Sequence, residues 1–100
     1  MTKTIVGILA DVFLFNNISE GLFMNKYYVV LRTKEKDELL DVVDALSLEE
    51  AMAIAETRYE EQMEVRDGLF VFEVNSPLSF NEKNRFVRNS GGEMKILIRF

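Results

Sequence analysis

The sequence predicts an α+β fold, a small antiparallel or mixed β-sheet packed against one main amphipathic helix and one short helix, in the order β-β-β-α-β-α-β. Three observations predict it. Strand-like runs rich in β-branched and aromatic residues recur at Lys26–Thr33, Leu69–Val74 and Met94–Phe100. Two Ser-x-x-Glu-type helix starts stand between them, at Ser47 and Ser79. The chain has 100 residues, 48% of them hydrophobic, with 8 Phe and one Pro, which suits a single domain over residues 1–100 with one core.

The N-terminal segment, residues 1–23, holds an apolar run from Ile5 to Phe15 that reads as an additional strand. It is too short for a membrane span, which needs roughly 20 apolar residues, and Asp11 interrupts it. No Ala-x-Ala-like cleavage site follows to make it a signal peptide. Glu20-Gly21 must be encoded by a purine-rich stretch resembling a bacterial ribosome-binding site, which offers Met24 as an alternative start.

Lys26–Thr33 is apolar on both alternating faces, as a central strand is. Lys34–Glu38 is a polar turn. Leu39–Ala45 fits both a helical and an alternating pattern and is assigned as the hairpin partner, because a new helix start follows at once. In Ser47-Leu48-Glu49-Glu50 the hydroxyl and the carboxylate are placed to satisfy orphan amides at a helix start. The helix is expected from Leu48 to about Val65, with Leu48, Ala51, Met52, Ala55, Tyr59 and Met63 inward and the glutamates outward. Gly68 is the expected left-handed terminator. Ser79-Phe80-Asn81-Glu82 opens the expected short helix to about Arg88, stopped by Asn89-Ser90-Gly91-Gly92. The closing strand alternates so as to place Met94, Ile96, Ile98 and Phe100 on the core side.

The sequence contains neither His nor Cys. That removes the commonest general base, the commonest metal ligand, the thiol nucleophile and every disulfide. A small domain without staples points to a reducing, cytoplasmic setting. No Gly-rich phosphate loop, Gly-x-Ser-x-Gly elbow or Asp-x-Asp calcium loop is present. The ladder Glu56, Glu60, Glu64 offers oxygens to a hard cation, yet one helix edge rarely converges on a metal without ligands from a second element. No cofactor is expected. Carboxylate-based enzymology remains one of the alternative readings.

Charge is distributed unevenly. Residues 34–67 carry 12 acidic and 4 basic side chains, a net of −8 within a chain of net −5. A concentration of this kind repels nucleic acid and attracts basic protein surfaces, although an acidic face also serves solubility alone. The expected partner-binding residues are Asp37, Glu38, Glu49, Glu56, Glu60, Glu61 and Glu64, presented to a host protein with a basic surface. Direct nucleic-acid or membrane binding is not expected. Lys83, Arg85 and Arg88 with Phe80 and Phe86 form a smaller basic and aromatic group that could contact RNA.

In size, acidity and lack of Cys the chain is similar, at the level of class, to phage-encoded inhibitors such as anti-CRISPR and anti-restriction proteins. That resemblance implies a protein-binding module that inhibits a nucleic-acid-binding host protein. The alternatives are a structural or assembly protein that forms homo-oligomers through an apolar strand, and a small carboxylate-using enzyme.

Overall fold

A computed structural model describes residues 24–88 and 91–100. The additional strand expected within residues 1–23 lies outside the described residues. The described elements are β1 (Asn25–Arg32), β2 (Asp37–Ala45), α1 (Leu48–Tyr59), a 3-10 turn (Glu60–Gln62), β3 (Gly68–Glu73), β4 (Ser79–Phe80), β5 (Phe86–Val87) and β6 (Met94–Ile98). Four strands form an antiparallel sheet in the order β2-β1-β3-β6, and β4 and β5 form a separate two-stranded ribbon. The α+β class stands, and among the described residues a hairpin takes the place of the expected short helix.

Local chemistry sets each boundary. Thr33 closes the β1–β2 turn by accepting from the Glu35 and Lys36 amides. A β-bulge follows, where the pairing steps from Val29↔Asp41 to Val30↔Leu39 and Leu40 becomes the extra residue. Leu40 therefore packs with the helix-side core while its neighbours Leu39 and Val42 are exposed. The bulge is also the physical reason that Leu39–Ala45 read ambiguously: one inserted residue destroys a period of two.

Helix α1 starts as its sequence requires. The Glu50 amide donates to Ser47 Oγ at 3.1 Å and Leu46 N–H donates to Glu50 Oε1 at 2.7 Å. Ala51 and Ala55 have 0% exposure, so the helix axis approaches the sheet closely, with Leu48, Met52, Ile54 and Tyr59 packed around them. The helix ends at Tyr59, about six residues earlier than expected, and tightens into the 3-10 turn. Met63 then turns extended and drops into the core at 4% exposure. Glu56, Glu60 and Glu64 would have faced one another at i, i+4 in a longer helix, a like-charge arrangement that weakens its last turns.

The left-handed residue in the following turn is Arg66 (φ 78°), not Gly68. Asp67 fixes this turn by accepting from the Glu64 amide at 2.9 Å. Gly68 is instead the buried first residue of β3, where a Cβ would stand 3.1 Å from Cε1 of Phe70. Space, not φ, selects glycine there.

The second expected helix is a β-hairpin. Asn81 accepts from the amides of Lys83 and Arg85 at 2.8 and 3.0 Å, and Asn84 takes φ 61°. Asparagine does both readily, so the Asn81–Asn84 stretch closes a tight loop between the paired Phe80 and Phe86.

The sheet buries both faces. On the helix side lie Tyr27, Val29, Leu31, Val43, Leu69 and Val71. On the other, Val30, Phe70 and Phe72 are covered by Leu78 and Phe86 from the hairpin arm. Phe86 stacks on Phe72 at 5.3 Å and meets Phe70 edge-on at 5.4 Å. Strand β6 has the opposite facing from that expected. Leu97 joins the helix-side core, whereas Ile96, Ile98 and Phe100 are exposed at 49%, 43% and 97%, and only Met94 of the expected set packs inward.

Candidate acidic interface

The seven acidic residues singled out by the sequence separate into three groups in the fold. Asp37 is an interior residue. Its side chain has 0% exposure and is gripped by both arms of Arg32 (Nε to Oδ1 and Nη2 to Oδ2, each 2.8 Å), by Arg85 Nη1 at 3.0 Å, and by the Phe86 amide at 2.8 Å. Burial pushes the Asp37 carboxyl upward, but the hydrogen bonds from Arg32, Phe86 and Arg85 outweigh it and hold the group below the ordinary carboxylate range. The guanidinium of Arg32 lies over Phe70 and Phe86, 4.8 and 5.4 Å from the ring centres. Asp37 thus ties the hairpin arm to the sheet, and with no exposed side-chain surface it presents nothing to a partner. It belongs to the scaffold, which corrects its place among the docking residues.

The same arrangement accounts for the basic group. Arg85 also donates to the carbonyls of Thr33 and Lys34, Arg88 donates to the Gly92 carbonyl and covers the Phe72 ring at 5.3 Å, and Phe86 is part of the second core. Arg85, Arg88 and Phe86 thus bind their own fold, while Lys83 and Phe80 are exposed. The sequence signal for this role was slight: Asp37 and Arg85 are far apart in the chain, and only the hairpin topology brings them together.

Glu49 forms the second group. It is exposed at the first turn of α1, with Lys95 Nζ 3.8 Å away. Both partners are largely solvated, so this pair neutralises little of the charge.

Glu38, Glu56, Glu60, Glu61 and Glu64 form the third. Among the described residues none of the five takes part in an ion pair. Glu56, on α1, is half-buried, and Glu60 and Glu61 on the 3-10 turn and Glu64 just after it are exposed. Glu38 pairs in register with Leu31, on the strand next to the helix-side core. The one cation within α1, Arg58, is committed elsewhere: it bridges to Asp41 Oδ2, which also accepts from Tyr59 Oη at 2.7 Å. Burial raises the Asp41 carboxyl, and the bonds from Tyr59, Arg58 and the Val42 amide more than reverse it, so it lies below its ordinary value. The phenol of Tyr59 moves upward, first through burial and then through its bond to Asp41. This Arg58–Asp41–Tyr59 clasp locks the helix to β2 and leaves the neighbouring glutamates uncompensated. Arg99 adds a second clasp by donating to the Glu60 carbonyl at 3.0 Å.

A cleft of about 280 Å³ opens at the other end of the helix, where Glu49, Glu73 and Glu93 meet a single cation, Arg88. All three carboxylates are exposed, so water solvates each charge. Among the described residues no helix is long and apolar enough to cross a membrane. Comparison with family models, with curated proteins and with solved structures gives no match to this chain.

Proposed function

We propose that this chain is a small protein-binding module that docks the acidic edge formed by Glu56, Glu60, Glu61 and Glu64, flanked by Glu38 and Glu49, on a basic surface of a nucleic-acid-binding host protein. The reading is of an inhibitor of the phage or mobile-element kind, in which carboxylates take the positions that the target reserves for phosphates. One observation carries it: among the described residues Glu56 on α1, Glu60 and Glu61 on the 3-10 turn and Glu64 just after it have no ion pair, although Arg58 and Arg99 beside them are used for other contacts. Uncompensated like charge on a rigid support costs stability and gives long-range attraction to a cationic partner.

The test is capture from a host lysate on the immobilised full chain, in parallel with a Glu56→Lys/Glu60→Lys/Glu64→Lys variant. The reading expects the wild type to retain proteins that DNA or heparin displaces, and the variant to release them while keeping the wild-type far-UV circular dichroism. Equal capture by both chains rejects the acidic edge as the docking surface.

A further inference from the structure

The two edges of the four-stranded sheet are built differently. Edge strand β2 carries the bulge at Leu40 and the acidic residues Glu38, Asp41 and Asp44, devices that discourage another strand from adding. Edge strand β6, Met94-Lys95-Ile96-Leu97-Ile98, has no bulge in its pairing with β3 and only one charge, and it leaves Ile96 and Ile98 about half exposed. Among the described residues nothing lies beyond it in the sheet.

The direction of its free backbone groups follows from the ladder. The Arg99 amide donates to the Asp67 carbonyl, and the Val74 amide to the Lys26 carbonyl on the opposite side of β3. Continued along the observed registers, Lys95 and Leu97 exchange hydrogen bonds with β3, while Met94, Ile96 and Ile98 turn their N–H and C=O groups outward. Three residues of unused pairing capacity therefore stand in a row, alternating with inward-bonded ones.

We propose that β6 is a homodimer interface, pairing antiparallel with β6 of a second copy about a two-fold axis through Ile96, so that two four-stranded sheets become one of eight. The sequence is self-complementary about that residue. On one face the axis sets Ile96 against Ile96 and Met94 against Ile98, an entirely apolar row. On the other it sets Glu93 of each copy against Arg99 of its mate, with Lys95 opposite Leu97. Every outward N–H and C=O of Met94, Ile96 and Ile98 finds its counterpart in this register. A slip of two residues in either direction breaks the Glu93–Arg99 contacts and sets like charges together, Lys95 against Arg99 one way and Lys95 against Lys95 the other, so charge selects this alignment. The side chains of the acidic edge are not part of this contact; Arg99 touches both regions through its bond to the Glu60 carbonyl, so Ile96→Lys is the variant that separates the two proposals.

Sedimentation equilibrium of the full chain from low to high micromolar concentration tests the proposal. A reversible dimer is expected. Ile96→Lys, at a half-exposed position that leaves the core untouched, places like charges together at the axis and raises the dissociation constant roughly 100-fold. Glu93→Arg and Arg99→Glu singly weaken the dimer about tenfold, and the two combined restore it. The charge exchange distinguishes this register from a fold defect, and thermal melts of each variant confirm folding. A chain that stays monomeric throughout overturns the proposal, as does a dimer indifferent to Ile96→Lys or one that the double exchange fails to restore.

Discussion

Replacing Asp37 by asparagine is the most informative single change to the scaffold. The amide keeps one acceptor oxygen, which can still meet Arg32 Nε and Arg85 Nη1, but at the second position it turns a donor toward Arg32 Nη2 and the Phe86 amide, both donors themselves. Removing one partner of a buried ion pair costs about 3–5 kcal/mol. Arg32 and Arg85 keep 40% and 30% of their side-chain surface and can recover some hydration, so the expectation falls to about 3 kcal/mol. For a domain of this size that lowers the melting temperature by roughly 10–20 °C. Urea titrations of wild type and Asp37→Asn, monitored by circular dichroism at neutral pH, read the difference directly. It should shrink as the pH falls. The Asp37 carboxyl has a depressed pKa in the fold, so its stabilisation is complete above the unfolded-state value near 3.8 and is lost as the pH drops through the lower folded-state value. A cost below about 0.5 kcal/mol at neutral pH, the level of an ordinary surface substitution, would refute the reasoning and return Asp37 to the exposed docking residues.

Four further outcomes follow from the same geometry. Ser47→Ala removes the helix cap and lowers stability by about 1 kcal/mol in urea unfolding; an unchanged midpoint would mean that the hydroxyl does not cap α1. Ala55→Leu forces a larger side chain between α1 and the sheet and costs about 1–3 kcal/mol, a loss that a loosely packed helix would not show. Arg66→Gly relieves a left-handed backbone and raises stability by up to about 1 kcal/mol, whereas a loss larger than that would assign Arg66 a contact beyond its conformation. Tyr59 has a raised folded-state pKa, so its contribution is complete below the ordinary phenol value near 10 and is lost as the pH rises through the higher one. Alkaline melts of Tyr59→Phe should then lack the wild type's late decline.

The legible parts of this fold were those set by local chemistry. Ser47 and Glu50 announced the helix start, the inward residues from Leu48 to Tyr59 were readable at helical spacing, and Lys26–Arg32 had the composition of a central strand. What sequence alone misassigned depended on partners distant in the chain. Ser79–Glu82 matches a helix start as well as α1 does, yet Asn81 and Asn84 form a tight loop and Asp37 anchors the adjoining Arg85 and Phe86. Strand β6 alternates cleanly, but alternation does not say which face is covered, and α1 covers the side of Leu97. The acidic edge was partly readable. Among the described residues Glu56, Glu60, Glu61 and Glu64 have no ion pair, while Asp37, of the same charge and in the same stretch, lies inside, because its burial depends on two arginines that no local pattern links to it.

Uncompensated charge on the helix edge also predicts a specific separation of stability from binding. Glu60→Lys replaces the i, i+4 repulsion from Glu56 with attraction, so it should stabilise the fold by a few tenths of a kcal/mol while weakening docking. The most direct test of the central claim is therefore calorimetric titration of the captured partner with wild type and with the Glu56→Lys/Glu60→Lys/Glu64→Lys chain. The account predicts affinity reduced on the order of 100-fold, together with an unchanged or higher melting temperature. Equal affinity, or a loss of affinity that merely tracks a loss of fold, contradicts it.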